Sequence, residues 1–192
     1  AIRPSAADGA ISVYAGKGVT ESEARVSVIM EAVERFSAEV ENFTQQLLFD
    51  SYENLSADNS ALNPADLILP GHLSPNTKIE WFPSWDLLND EEVLVPAKAV
   101  FHPYKPHQGR WQLFRSNTNG LASGNVIEEA IFHGLMEVVE RDAVSIAEIN
   151  RNPGIGLDVG VGPAGDIIKK FEAQEIRVQL WWVPTDTGTP TI

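Results

Sequence analysis

Two short segments of this 192-residue chain place the same acidic groups at the same spacing: Glu31, Glu34 and Arg35, then Glu137, Glu140 and Arg141. Glutamates three residues apart on a helix aim two carboxylates at one point. Four such groups left together would repel one another and raise each other's pKa, and a hard divalent cation such as Mg2+ relieves that cost through oxygen ligands. Magnesium in turn favours a phosphate-bearing ligand. Glutamate on the polar face of an amphipathic helix is also ordinary solvated surface, so either segment alone carries little weight. The pair carries more.

The pairing extends beyond the acids. Gly18, Ala24, Met30, Glu31, Glu34 and Arg35 recur as Gly124, Ala130, Met136, Glu137, Glu140 and Arg141, all at an offset of 106. Two related helix-opening units are expected, one over about residues 11–50 and one over about 111–150. Thr20 with Glu23, and Asn125 with Glu128, read as capping boxes. They predict long helices from about Glu21 to Leu48 and from Asn125 to about Glu148. At about 100° per residue, Ser27, Glu31 and Glu34 share one arc of the first helix. Ile29, Ala32, Val33 and Phe36 lie opposite. On the second, Glu129, Glu140, His133 and Glu137 fall within about 80° of one another, with Val138, Ile131, Leu135, Val139, Phe132 and Met136 forming the apolar stripe.

Around these helices, strands are predicted over Ile11–Tyr14, Thr77–Phe82, Glu91–Phe101, Trp111–Arg115 and Ile176–Val183. Residues 50–75 read as a long loop enclosing a short helix, and Ala164–Gln174 as a further helix. Gly-rich residues 152–163 read as a flexible linker rather than a phosphate loop, because no strand precedes them. Trp181-Trp182 reads as core or as a docking surface. The expected class is α/β of the α+β type, with a mixed, largely antiparallel sheet and two long amphipathic helices related by the repeat.

Composition narrows the function. Twenty-seven Asp and Glu against 14 Lys and Arg give a net charge of −13, which opposes a nucleic-acid backbone. That charge is also what solubility requires. No Cys is present, so thiolate ligands, disulfides and cysteine nucleophiles are excluded. No apolar stretch approaches the length of a membrane helix and no secretory leader is visible, so a cytoplasmic protein without membrane or nucleic-acid partners is expected. The chain opens on Ala1 rather than Met and stops just after a strand-like run, and truncation at both ends is the expectation.

The residues Gly16-Lys17-Gly18 through Ser27, Glu31, Glu34 and Arg35 resemble the first ATP-site motif of the YcaO family. Asn119-Gly120-Leu121-Ala122-Ser123-Gly124-Asn125 through Glu129, Glu137, Glu140, Arg141 and Asp142 resemble its second, so that 1–192 is read as one YcaO-like domain. The resemblance implies ATP and Mg2+ as cofactors and a nucleotide site unlike a P-loop. It implies an enzyme that phosphorylates a backbone amide oxygen of a peptide or protein substrate, after which sulfide gives a thioamide or a Cys, Ser or Thr side chain gives an azoline.

By the same resemblance Glu31, Glu34, Glu137 and Glu140 are the magnesium-binding glutamates. Ser27, Asn125, Glu129 and Arg141 are nucleotide contacts. Asn125 has a rival role as a helix cap. Lys17 is a candidate for the phosphates, with an exposed turn lysine as the alternative; Arg35 reads as structural. The wording of 117–142 is most similar to the branch of methanogenesis-marker proteins and TfuA-associated proteins. That similarity implies thioamidation of a glycine in methyl-coenzyme M reductase and a TfuA-like or sulfide-delivering partner. A homodimer is open to it. Two rival classes stand beside the enzyme: a non-catalytic YcaO-like module that docks a peptide or partner, and a carboxylate metal-binding protein without nucleotide.

Overall fold

The chain alternates helices and short strands in the order α1 (Glu21–Ser37), β1 (Leu48–Ser51), α2 (Tyr52–Leu55), β2 (Lys78–Asp86), β3 (Glu91–Pro96), α3 (Ala97–Val100), α4 (Ile127–Asn150), β4 (Ile155–Leu157), α5 (Gly162–Glu172) and β5 (Leu180–Trp182). This computed structural model describes residues 1–107 and 113–192. The chain packs as two compact units, Ala1–Ser123 and Gly124–Ile192. Both observed sheets are antiparallel, in keeping with the expected mixed class. Among the described residues no helix is long and apolar enough to cross a membrane.

In the first unit β2 is the centre of a three-stranded sheet ordered β1-β2-β3. Its run Ile79, Glu80, Trp81 and Phe82 is buried throughout, because both faces are covered. Ile79 and Trp81 join Leu94 and Leu113 on one face. Phe82 joins Ala97, Phe101 and Tyr104 on the other. Glu80 shares that second face, and its carboxylate accepts from Tyr104 Oη and pairs with His107 Nδ1. The β2–β3 hairpin closes on Asp86, whose carboxylate accepts from the Leu88 and Asn89 amides at 2.8 and 3.1 Å.

Several sequence expectations are corrected. The first helix stops at Ser37, not Leu48, since Asn42 Nδ2 caps Phe36 O at 2.6 Å and Glu39 turns inward to Arg3. Ile11–Tyr14 forms a single bridge, Ile2 to Val13, not a strand. The run Glu91–Phe101 divides into β3 and the single turn α3, with Pro96 at the joint. The predicted strand Trp111–Arg115 lies partly outside the described residues, and residues 113–115 are not in a strand.

In the second unit β4 pairs with β5, from Ile155–Trp182 to Leu157–Leu180, inside the stretch expected to be a flexible linker. The expected strand Ile176–Val183 is reduced to three residues. Trp181 and Trp182 are 40% and 37% exposed, so they do not form core. The apolar stripes read from the helices are likewise open: Ile29, Val33 and Phe36 on α1, and Ile131, Phe132, Leu135 and Val138 on α4, are exposed.

Candidate nucleotide and magnesium site

What covers α1 is not its apolar stripe but its acidic arc. The capping box at Thr20 and Glu23 forms as expected and fixes where the helix starts. Upstream, residues 15–18 run along the helix as a strap. Ala15 N–H donates to Glu31 Oε2 at 3.3 Å, and Lys17 N–H donates to Ser27 Oγ at 3.3 Å. The approach is close because Ala24 and Ser27 are small and position 16 is glycine. A β-carbon on Gly16 would stand 1.9 Å from the Ala24 carbonyl oxygen. From later in the chain, Ser123 Oγ donates to the Met30 carbonyl at 3.0 Å, which ties the 117–123 loop to the same helix.

The first unit thus brings Lys17, Ser27, Glu31 and Glu34 together along one side of α1. Ser27, Glu31 and Glu34 are partly covered, whereas the Lys17 side chain is exposed. Arg35 Nη1 lies 3.4 Å from Glu34 Oε1 and is buried without a hydrogen-bond partner among the described residues.

In the second unit the expected capping box of Asn125 and Glu128 does not form. The N-cap of α4 is Val126, which supplies no side-chain bond. Asn125 instead donates its amide N–H and its Nδ2 to Glu129 Oε2, at 2.7 and 2.9 Å. These bonds, chiefly the backbone one, hold the Glu129 carboxyl below the ordinary carboxylate range, and the charge of His133 adds to the effect. About two turns further on, Arg141 donates Nε–H to Glu137 Oε1 at 2.8 Å, with Nη2 also 2.8 Å from that oxygen. Glu140 is exposed on the same arc. Asn125, Glu129, Glu137, Glu140 and Arg141 therefore share one side of α4.

Each unit presents an i, i+3 pair of hard oxygen donors. Among the described residues no group of three or more His, Cys, Asp or Glu is gathered closely enough to hold a metal ion. A pair suits Mg2+ all the same, because that ion is usually held by one or two carboxylates and completes its shell with phosphate oxygens and water. The donor chemistry therefore fits. Two partners of these residues escaped the sequence reading. The Ala15 amide carries no side-chain signal. The shift of the Asn125 bond from Glu128 to Glu129 is visible only once α4 is seen to begin at Ile127.

Comparison with known proteins identifies the family. The family model described as YcaO cyclodehydratase, ATP- and Mg2+-binding, matches residues 15–192. A protein of Methanothermobacter thermautotrophicus is 50% identical over 196 residues, which is 100% of this chain and 50% of that protein. A protein of the tfuA 3′ region of Rhizobium leguminosarum bv. trifolii is 31% identical over 191 residues, 94% of this chain and 44% of its own length. The chain thus spans about half the length of the curated relatives it matches. Among solved structures, the YcaO of Methanopyrus kandleri bound with AMPPCP and Mg2+ superposes with a TM-score of 0.71 and 35% identity, over 90% of this chain and 42% of that one. A heterocyclase in complex with substrate and cofactor superposes at 0.79 with 25% identity, over 91% and 26%. With its Glu-x-x-Glu-Arg turns intact and the family model covering nearly its whole length, the chain belongs to the YcaO family.

Proposed function

We propose that this chain carries the nucleotide-handling part of an ATP- and Mg2+-dependent enzyme that O-phosphorylates a peptide backbone amide, with thioamidation of a protein glycine as the favoured outcome. In this chemistry the amide oxygen forms a bond to the terminal phosphorus as the bond to ADP breaks. Sulfide then adds to the amide carbon, and the carbon–oxygen bond breaks with release of inorganic phosphate. An amide oxygen is a poor leaving group and phosphate a good one, which is the reason for the activation. A Cys, Ser or Thr side chain in place of sulfide gives an azoline.

The observation that carries the reading is the pair of Glu-x-x-Glu-Arg turns, each on a helix whose start is fixed by its own upstream segment. Glu31 and Glu34, with Glu137 and Glu140, would hold Mg2+, which when bound neutralises phosphate charge. The ionised Glu129, held by Asn125, keeps the start of α4 in register. Arg141 presents a guanidinium suited to forked contact with phosphate, and Lys17 a flexible cation on the strap. Ser27 aligns that strap. The likeness to the tfuA 3′-region protein supports the thioamidation variant and a TfuA-like or sulfide-delivering partner.

Calorimetry on the full-length protein tests the first part: ATP binding is expected with Mg2+ and lost with EDTA. Incubation with a glycine-containing peptide, ATP and sulfide is then expected to release phosphate and exchange one peptide oxygen for sulfur by mass spectrometry. Absence of Mg2+-dependent binding would defeat the proposal at its root.

A further inference from the structure

The long loop between α2 and β2 folds around a cavity that the nucleotide reading does not use. Its volume is about 410 Å³, inside the range of about 300–1,000 Å³ that ligand sites occupy. It lies within the first unit, and none of the described residues lining it belongs to α1 or to the strap. Tyr52 lines it with its ring stacked on the buried Trp81, 6.5 Å between centroids. Leu69 and Leu73 line it too, and both pack against the cluster of Ile79, Trp81, Leu94 and Leu113. The hydrophobic core therefore holds this wall in place.

The backbone of the same wall is unpaired. From Ile68 to Leu73 the chain is neither helix nor strand, and among the described residues no hydrogen bond engages an amide or carbonyl of that stretch. The loop is bonded on either side of it: Leu67 N–H donates to Pro64 O at 3.1 Å, and Thr77 N–H donates to Ser74 O at 2.9 Å. Gly71 and His72 are exposed, so water satisfies such groups in the free protein. Unpaired amides and carbonyls beside an apolar cavity are what an extended peptide uses. Main-chain bonds supply affinity, and the cavity takes one side chain. A small apolar molecule would fill the cavity and leave the backbone strip unused.

Charge narrows the peptide further. Between Arg35 and Lys78 the sequence has no Lys or Arg. Asp66 stands between Ala65 and Leu67, which line the cavity, and Glu53 follows Tyr52; both acids are exposed. Such a surface attracts a cationic segment and repels an anionic one. We propose that this cavity is a docking subsite for the peptide substrate, taking an extended segment in which one apolar side chain is flanked by Lys or Arg. It rests on the peptide-modifying function proposed above and specifies the chemistry of the segment that is held.

Fluorescence anisotropy on the full-length protein tests this with short labelled synthetic peptides whose central residue is Leu, Phe or Ser and whose flanks are Lys or Glu. With Lys flanks, the Leu and Phe peptides are expected to bind at least about tenfold tighter than the Ser peptide, the range for placing one apolar side chain in a pocket. Glu flanks are expected to weaken all three. Gly71 provides the block, because it lines the cavity and a β-carbon there meets nothing among the described residues within 4 Å. Gly71→Trp is expected to lose the apolar preference at an unchanged melting temperature. The double variant Glu53→Lys, Asp66→Lys is expected to lose the preference for Lys flanks. Absence of the apolar preference in wild type overturns the proposal, as does its persistence in Gly71→Trp. If Gly71→Trp unfolds, the double variant decides, and an unchanged preference for Lys flanks overturns the proposal. Calorimetry with Mg·ATP on the same preparations separates the two readings: wild type that selects these peptides without binding Mg·ATP keeps the subsite and removes the ATP-dependent enzyme.

Discussion

Gly16 lies so close to Ala24 that a β-carbon at position 16 would be 1.9 Å from the Ala24 carbonyl oxygen and 2.6 Å from the Val28 nitrogen. Both neighbours are helix backbone and cannot rotate aside, so an alanine must push the strap off α1. Gly16→Ala is expected to cost about 1–3 kcal/mol, the range for overpacking. The Lys17 amide, now bonded to Ser27 Oγ, should exchange its hydrogen faster in the variant, and Mg·ATP affinity should fall with it. Unchanged exchange at Lys17 would show that the strap does not depend on this contact.

Glu137 separates structural from ligand roles on α4. Its pair with Arg141 spans one turn, at side-chain exposures of 25% and 55%, so its share of stability is about 0.3–0.5 kcal/mol. Glu137→Gln should leave circular dichroism and melting temperature almost unchanged. It should also weaken Mg2+-dependent ATP binding at least about tenfold, because one hard anionic ligand is gone. A variant that unfolds would recast Glu137 as a structural residue.

The ion pair at the foot of α1 gives the first unit a defined acid sensitivity. Arg3 Nη1 donates to Glu39 Oε2 at 2.9 Å, and the Ala7 amide donates to Glu39 Oε1 at 3.2 Å, with Glu39 buried. The Arg3 hydrogen bonds are the largest cause of a Glu39 pKa below the ordinary glutamate value of 4.5. A depressed folded-state pKa contributes stability above the unfolded value and loses it as pH falls through the folded one. Wild type should therefore lose stability as pH drops below about 4.5. Arg3→Met leaves a buried carboxylate without its cation and should cost about 3 kcal/mol near neutral pH. Its denaturation midpoint should then fall less between pH 7 and 3, since protonating Glu39 no longer breaks an ion pair. Parallel denaturant titrations across that range check both slopes.

What could be read from the sequence was local. Thr20 and Glu23 signal a helix start through bonds spanning three residues, and the structure forms both. The Glu-x-x-Glu pairs follow from helical period alone. The first helix looked eleven residues longer than it is because its end depends on Arg3, 36 residues from Glu39 in the chain. β4 was invisible because Gly154, Gly156 and Gly160 read as a linker, while its partner β5 lies beyond a whole helix. The apolar stripe of α1 was legible, yet the helix is covered on the other side, where Gly16 and Ala24 allow backbone to touch backbone.

Gly18 and Gly124 provide a test of the repeat in which each helix start is the other's control. A β-carbon on Gly18 would stand 2.4 Å from Glu23 Cβ and 2.6 Å from the Ala24 nitrogen. On Gly124 it would stand 2.8 Å from Glu129 Cβ and 2.6 Å from the Ala130 nitrogen. Neither glycine has a positive φ, so alanine brings no backbone strain there and the cost is the contact alone. Gly18→Ala and Gly124→Ala should therefore destabilise by similar amounts, about 1–3 kcal/mol, through the same first turn. Gly71→Ala, where nothing among the described residues lies within 4 Å, should stay within about 0.5 kcal/mol of wild type. Urea titration of all three measures the comparison. If Gly124→Ala behaves like Gly71→Ala while Gly18→Ala does not, the two helix starts are not equivalent, and the shared offset loses its structural meaning. If both glycine variants also loosen Mg·ATP binding, the helix starts act as matched supports for the acidic turns that follow them.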